Sequence, residues 1–529
     1  MISETILPVL PVRRYAYRKT PQDYMPAKYK LMYRLKDQLR SNPKFQSLYQ
    51  KLIIHRQEWP KLPSLPGQKA SYLLHILVHK STVNIPRDKS GVYAIKHTKG
   101  LTTLKAKKIG SSQYLLDKFR FELKANSRSL RSLSFSFKLS SSLSHNLCTR
   151  VQINIFWDLK FLKNLESLSL SFAIINEEVM ETLSNALLKT TGIKTLALNF
   201  IETPVNSGIL ASLKKSISKF RALAKVNIIF GTVNQSGEDP DFFSSLDNLT
   251  NLTTLSLETR RMLPPAFFDS LLRYLEKCTS PRNISLSLWN SFLTQKSISK
   301  VFEALGHLPL EQLIFGMNNL IDSESILSKL CTANFQNLKF LKFHLTNSKL
   351  TPQSFSYLGD SLPETLEVLN LKFKNVALHD SGIPSLLHNL IKLKKLEQLI
   401  IDLSLCSLDD EKFVNFIDYI PEKNNLKTFG ISAEFNKLGD ESLIRLANKL
   451  KKSRKLKELK LDLKGNSITN QAMSALVDFL RALNKLSYLS LDLQACQILS
   501  DSSQASLEHV VTENVSSLRH DPTNLLIAL

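Results

Sequence analysis

One hydrophobic pattern recurs along most of this chain. Leu-x-x-Leu-x-Leu-x-Leu, with Ile, Val or Phe as substitutes, begins at Leu130 (LRSLSFSF), Leu165 (LESLSLSF), Ile193 (IKTLALNF), Leu223 (LAKVNIIF) and Leu252 (LTTLSLET). A weaker copy covers Ile284, Leu286 and Leu288, and further copies begin at Leu310, Leu338, Leu366, Leu396, Leu426, Leu456 and Leu486. These are 13 units, and after a first gap of 35 residues every spacing is 28 to 30.

Each unit holds two periods. The L-x-L-x-L core alternates every second residue, which places its apolar side chains on one face of a short strand. About a dozen residues later the period becomes that of a helix. In the unit that begins at Leu456, Ala472, Leu476, Phe479, Leu480 and Leu483 fall on one helical face. Neither element can bury its apolar side alone, so stacked units must share one continuous core. Three residues after the last strand Leu, an amide is expected to bond the turn backbone of neighbouring units. Asn466 follows Leu463 in this way and Asn436 follows Ala433, while Cys406 and Cys496 hold the same offset from Leu403 and Leu493. Those two cysteines are therefore expected to be ladder residues and not reactive thiols.

These units resemble the long, helix-bearing leucine-rich repeats of the ribonuclease-inhibitor-like class, most clearly at Leu459–Leu483 (LKLDLKGNSITNQAMSALVDFLRAL). Their Lys-, Asn- and Ser-rich composition also resembles repeats common in ciliate proteins. The resemblance implies an α/β leucine-rich-repeat solenoid, a curved horseshoe with a parallel sheet on the concave face and helices on the convex face. For function it implies protein–protein recognition and little more.

The two strand positions between the core leucines are expected to face the concave surface. They are Ser134, Ser136, Ser169 and Ser171 in the first units and Ser256, Glu258, Ser285 and Ser287 in the middle. Later units offer Lys342, His344, Lys372, Asp402, Lys460, Asp462 and Asp492. Asp402, Asp462 and Asp492 share one row, a candidate contact for a basic peptide. A solvated face chosen for solubility explains the same residues without any ligand.

Charge sets the first part of the chain apart. The whole chain carries a net +24, yet residues 1–129 hold 26 Lys/Arg against 7 Asp/Glu, whereas residues 130–529 hold 44 against 39. Nine of the 13 tyrosines precede residue 115. Arg13, Arg14, Arg18, Lys19, Lys28, Lys30 and Arg34 are interleaved with Tyr15, Tyr17 and Tyr29. Such a segment suits an acidic partner: another protein subunit, RNA phosphates or anionic lipid. The organisation expected is therefore a basic, Tyr-rich extension over 1–67 with two helices, and an N-terminal cap over 68–129. The cap includes a degenerate copy at Leu101 (LTTLKAKK). A solenoid over 130–499 and a C-terminal cap and tail over 500–529 follow.

Chemistry is sparse. His75 and His79 have i, i+4 spacing but Ile, Leu and Val between them, without the Glu of HExxH, and read as packing histidines. GxGxxG, GxxxxGK[ST] and GxSxG do not occur, the five cysteines are scattered, and no stretch reaches the ~18 apolar residues that span a bilayer. No catalytic residue, cofactor or metal is expected. The reading is a non-catalytic scaffold, an accessory subunit of a large assembly. The setting expected is mitochondrial, since the first 22 residues hold a single acid, Glu4, with Arg13, Arg14 and Arg18 following. A ribosome- or RNA-associated protein and a cytoplasmic, ciliary or microtubule-associated scaffold are the alternatives.

Overall fold

The computed structural model describes residues 82–85, 102–109, most of 119–497, Leu507, His509, Val510 and 525–528; the longest segments left out within 119–497 are 138–144, 234–240 and 421–424. The basic extension, with its expected helices and its arginine and tyrosine candidates, lies outside the described residues. The chain divides into two compact units, Met1–Lys107 and Lys108–Leu529. In the first, β1 (Thr82–Ile85) pairs in parallel with β2 (Thr103–Ile109), Thr82 opposite Thr103. The strand β2 begins two residues after Leu101, the same offset that separates Leu130 from the first strand of the second unit.

The second unit is a leucine-rich-repeat solenoid. Its strands are β3 (Ser132–Phe137), β4 (Ser167–Ser171), β5 (Thr195–Val205), β6 (Lys225–Val233), β7 (Thr254–Thr259), β8 (Asn283–Leu288) and β9 (Gln312–Asn318). They continue as β10 (Phe340–Thr346), β11 (Val368–Lys372), β12 (Gln398–Asp402), β13 (Thr428–Ser432), β14 (Glu458–Asp462) and β15 (Tyr488–Asp492). Each of the 13 copies of the pattern becomes one strand, and each strand pairs in parallel with the next without a register slip between the core leucines. The segment expected as a cap and tail adds a strand of its own, β16 (Leu525–Ala528), parallel to β15 with Leu525 opposite Leu489. Among the described residues, no helix is long and apolar enough to cross a membrane.

Alternation explains the strands. In β4, β12 and β15 every second residue is buried and the others are half-exposed. The buried set stacks against the helices α1 (His145–Leu159), α2 (Glu177–Leu187), α3 (Ser207–Ile217), α4 (Pro265–Lys277), α5 (Gln295–Gly306) and α6 (Ser323–Thr332). The layer continues through α7 (Pro352–Asp360), α8 (Gly382–His388), α9 (Asp410–Asp418), α10 (Asp440–Leu450) and α11 (Met473–Ala482). Between β6 and β7 a five-residue 3-10 turn, Phe242–Leu246, takes the helix's place. The helical face foreseen in the unit from Leu456 is buried in full, with Leu476, Phe479 and Leu480 at 1% exposure or less. Each such side chain contributes about 1.5–3 kcal/mol on leaving water.

Two polar ladders tie neighbouring units together. The first is the one anticipated at the turn after each strand. Asn436 donates through Nδ2 to the carbonyls of Leu403 (3.0 Å) and Ala433 (2.9 Å), and its Oδ1 accepts from the amides of Cys406 and Leu408, both at 3.0 Å. Asn466 repeats this one unit on, donating to Ala433 and Leu463 and accepting from Leu438. Cys406 donates to the Phe373 carbonyl and Cys496 to that of Leu463, so both thiols are structural. Burial pushes the Cys406 thiol up to about 11. The second ladder was not anticipated. An acid in the first turn of one helix accepts from the start of the next. Glu177 takes the side chain of Asn206, Glu324 takes Thr351, Asp410 takes the Gly439 amide and Asp440 takes the Thr469 amide and hydroxyl. A carboxylate there also suits the positive end of its own helix.

Candidate interaction surface

The open face of the sheet is the surface that the repeat offers. Strand register sorts its outward side chains into rows. One row runs Ser136, Ser171, Asn199, Ile229, Glu258, Ser287, Gly316, His344, Lys372, Asp402, Ser432, Asp462, Asp492. The expected alignment of Asp402, Asp462 and Asp492 is thus met, with Ser432 between the first two.

Charge changes along this row. The first two strands present only serine outward, Ser132, Ser134 and Ser136 opposite Ser167, Ser169 and Ser171. Glu258 is held by Arg260 at 2.8 Å. In the middle, Lys342 and Lys372 make the face basic, while burial, together with Lys342, holds the His344 imidazole between them down at about 4, so it is neutral at pH 7. The change of sign comes at Lys372, whose ammonium lies 3.0 Å from Asp402. Burial opposes the Asp402 charge, but the Ser404 amide and Lys372 outweigh it and hold the carboxyl below its usual range.

Beyond Asp402 the face is acidic. Asp462 shares its surroundings with Glu434 and Asp492; burial first, then the Glu434 carboxyl beside it, pushes Asp462 up to about 7. One of its oxygens, Oδ1, is out of contact with solvent and has no hydrogen-bond partner among the described residues. Asp402 and Asp492 each accept from the amide two residues on, Ser404 and Gln494, both at 3.0 Å. These two aspartates therefore shape the turns that follow their strands as well as charging the face. Lys460 lies on the same face with its ammonium 5.2 Å from the Tyr488 ring centroid.

One aromatic on this face was missed in the sequence. Gly316 sits outward in its row, and a Cβ there would come within 3.0 Å of the Trp289 ring. The indole therefore lies over Gly316, beside Ser287 and one strand from His344. The signal was present, since Trp289 directly follows the last core Leu of its unit and the next strand carries a glycine, Gly316, opposite Ser287.

The turns that follow the strands form the rim of this face. In eight consecutive units the same turn position adopts positive φ, occupied in order by Asn290, Asn319, Asn347, Asn375, Leu405, Phe435, Gly465 and Ala495. Asn and Gly tolerate this conformation and Leu and Phe do not. Leu405 and Phe435 are nevertheless held there with their side chains exposed.

No family model matches the chain, and no curated protein matches it. Solved structures do. A chain of the yeast Rad7 and Elc1 complex is similar over 68% of this chain and 91% of its own length, at 16% identity and a TM-score of 0.39. The C-terminal domain of tropomodulin from Caenorhabditis elegans is similar over 33% of this chain and 100% of its own, at 17% identity and a TM-score of 0.25. Neither likeness carries a residue or a partner over to this chain.

Proposed function

We propose that this chain is a non-catalytic protein–protein interaction scaffold of the ribonuclease-inhibitor-like repeat class, serving as an accessory subunit of a large mitochondrial assembly. The observation that carries the reading is the unbroken run from β3 to β16, which spends nearly the whole second unit on one ladder of outward side chains. Such a surface suits broad contact with folded partners. Its sign changes from basic at Lys342 and Lys372 to acidic at Asp402, Asp462 and Asp492, which gives a partner one orientation along the array. The basic extension, through Arg13, Arg14, Tyr15, Tyr17, Arg18, Lys19, Lys28, Tyr29, Lys30 and Arg34, docks into an acidic neighbour.

The test is sedimentation of the native, tagged protein from gently lysed cells, with and without ribonuclease, followed by mass spectrometry of co-migrating proteins. Fast sedimentation that survives nuclease, with mitochondrial companions, is the expected result. Collapse to a slow monomer after nuclease would replace this reading with an RNA-binding one, since phosphate contacts would then carry the assembly. Removal of residues 1–60 is expected to abolish co-purification and leave thermal unfolding of the repeat unit unchanged. Retained co-purification would remove the extension from the account.

A further inference from the structure

The outward side of the sheet is mostly small and polar at one end and charged at the other. β3 and β4 present serine alone, and β14 presents Glu458, Lys460 and Asp462. Between these ends, β8 to β11 bring four large apolar side chains to the same face. Ile314, Phe340 and Val368 hold outward positions of β9, β10 and β11, each partly exposed, and Phe340 stands opposite Val368. Trp289, also partly exposed, lies over Gly316 on the strand that carries Ile314. From Gly316 to Gln312, which is level with Phe340, the strip runs about 13 Å at ~3.3 Å per residue. An apolar strip of this length within a polar face marks a contact surface.

The charge around the strip has one sign. No Asp or Glu holds an outward position of β8, β9, β10 or β11, whereas Lys342 and Lys372 do, and Lys374 follows Lys372 by two residues. The acids of the flanking strands are already engaged, Glu258 in β7 by Arg260 at 2.8 Å and Asp402 in β12 by Lys372 at 3.0 Å. At the entry to these strands the charges balance. Arg282 pairs with Glu311 at 2.7 Å, and Lys339 stands one unit from Glu367. Lys342 is therefore left with no carboxylate beside it. Its neighbours are Ile314 and Asn370 across the sheet, with Phe340 and the neutral His344 along its own strand. A partly buried ammonium among apolar side chains is costly to leave unpaired and suited to an anionic group.

We propose that this strip docks an extended segment of a partner protein that alternates Asp or Glu with large apolar side chains. The proposal rests on the scaffold reading above and names the part of the ladder that binds and what it takes. Trp289 and Phe340 are the anchors, and Lys342 meets the carboxylate between them. The sign also excludes nearer occupants. The chain's own basic extension carries the same charge as the strip, and so does the strip of a second copy. Ile314 and Val368 offer no ring face on which a nucleic-acid base could stack.

Selection of a displayed, randomised peptide library on the full chain tests this. The enriched peptides are expected to combine Asp or Glu with Leu, Phe or Trp. A synthetic copy of the most enriched one should bind at about 1 to 100 µM by fluorescence anisotropy. Trp289→Ser and Lys342→Glu are each expected to weaken it by about tenfold or more, with unchanged melting temperatures. Lys460→Glu, on the same face but in β14, should leave it unchanged at physiological salt. Phe340→Ser takes the place of Trp289→Ser if that variant folds poorly. A charge exchange completes the test: Lys342→Glu should recover binding to the same peptide with its acids changed to Lys.

Enrichment of peptides without acids overturns the proposal, as does a library that yields no binder. So does an acidic peptide that both variants bind as the wild type does, or that Lys460→Glu weakens equally. A single-stranded RNA that displaces the peptide, and is itself lost with Trp289→Ser, would assign the strip to nucleic acid instead. The sedimentation experiment fails separately. If it finds no assembly, the scaffold reading falls; if the assembly stands and no acidic peptide binds, only this strip is removed.

Discussion

The first four units of the solenoid and the last four solve the same stacking problem with different chemistry. In the first four, the final core position of the strand is phenylalanine: Phe137, Phe172, Phe200 and Phe230. Phe172 and Phe200 stack at 4.9 Å between centroids and 7° between planes, and Phe200 and Phe230 at 5.7 Å and 11°. In the last four, that position holds Leu403, Ala433, Leu463 and Leu493, and the adjoining turn carries Cys406, Asn436, Asn466 and Cys496. The aromatic spine supplies area without direction, whereas the amide ladder fixes the height of each turn against the next. Regularity follows the ladder. The strands of these last four units, β12 to β15, are each five residues long and their spacing is constant, while β5 runs to 11 residues with an irregularity between Phe200 and Pro204.

The largest effect that would break this comparison is a charge in the shared core. Leu461→Asp, at a position 2% exposed in β14, should unfold the neighbouring units, because an unpaired carboxylate would be buried. Circular dichroism and limited proteolysis would show it. A soluble variant with a single cooperative melt would mean that position 461 does not face the core.

Next in size is the ladder itself. Asn436→Leu removes an amide that serves Leu403, Ala433, Cys406 and Leu408 at once, and should cost about 4 kcal/mol by stranding four buried backbone groups. In the first half the same turn position carries Thr203, whose hydroxyl accepts one bond, from the Ile175 amide at 3.2 Å. Thr203→Val should cost about 1 kcal/mol. Urea denaturation of the two variants gives the ratio directly, and equal losses would show that the halves do not differ as described.

That pair also marks what the sequence made legible. The 13 strands were readable because Leu at every second position has no other cheap explanation at a 28 to 30 residue spacing. The ladder was readable only where it uses Asn or Cys. Thr203 and Ser348 hold the same turn position, and Ser348 accepts from the Leu320 amide as Thr203 does from Ile175, but a lone hydroxyl in a Ser-rich chain carries no pattern. The same is true of Leu405 and Phe435. Nothing in a leucine or a phenylalanine announces a left-handed backbone, so the rim became visible only through φ. The row of Asp402, Asp462 and Asp492 was legible from spacing alone, whereas the Asx bonds of Asp402 and Asp492 to their own turns were not.

A smaller effect separates the halves by pH. The folded chain raises Asp462 to about 7, above the ordinary carboxylate range, so folding favours the protonated form. The stability this contributes is complete below the ordinary range and is lost as pH rises through about 7. The wild type should therefore lose stability relative to Asp462→Asn between pH 5 and pH 8, by about 1 kcal/mol once solvent screening of this half-exposed group is allowed for. Thermal melts at the two pH values measure the difference, in which His344 and the carboxylates remote from Asp462 cancel. A difference that does not change with pH would mean that neither burial nor Glu434 raises Asp462 in the folded chain.

The smallest effect is the most specific to the rim. Four units place Asn at the left-handed turn position, and Leu405 is the first departure from them. If its backbone is strained, as β-carbon crowding at φ 60° requires, restoring the earlier residue should relieve the strain. Leu405→Asn is therefore expected to raise stability by about 0.5 kcal/mol, against the usual direction of a substitution. The exposed leucine contributes little to the core and so little is lost. The reverse change in the preceding unit, Asn375→Leu, should lower stability by a similar amount and also break the bond from Asn375 to Asn347 at 2.8 Å. If both variants instead lose stability, the leucine side chain is packed in the free protein. The rim would then be held by contacts within one copy of the chain.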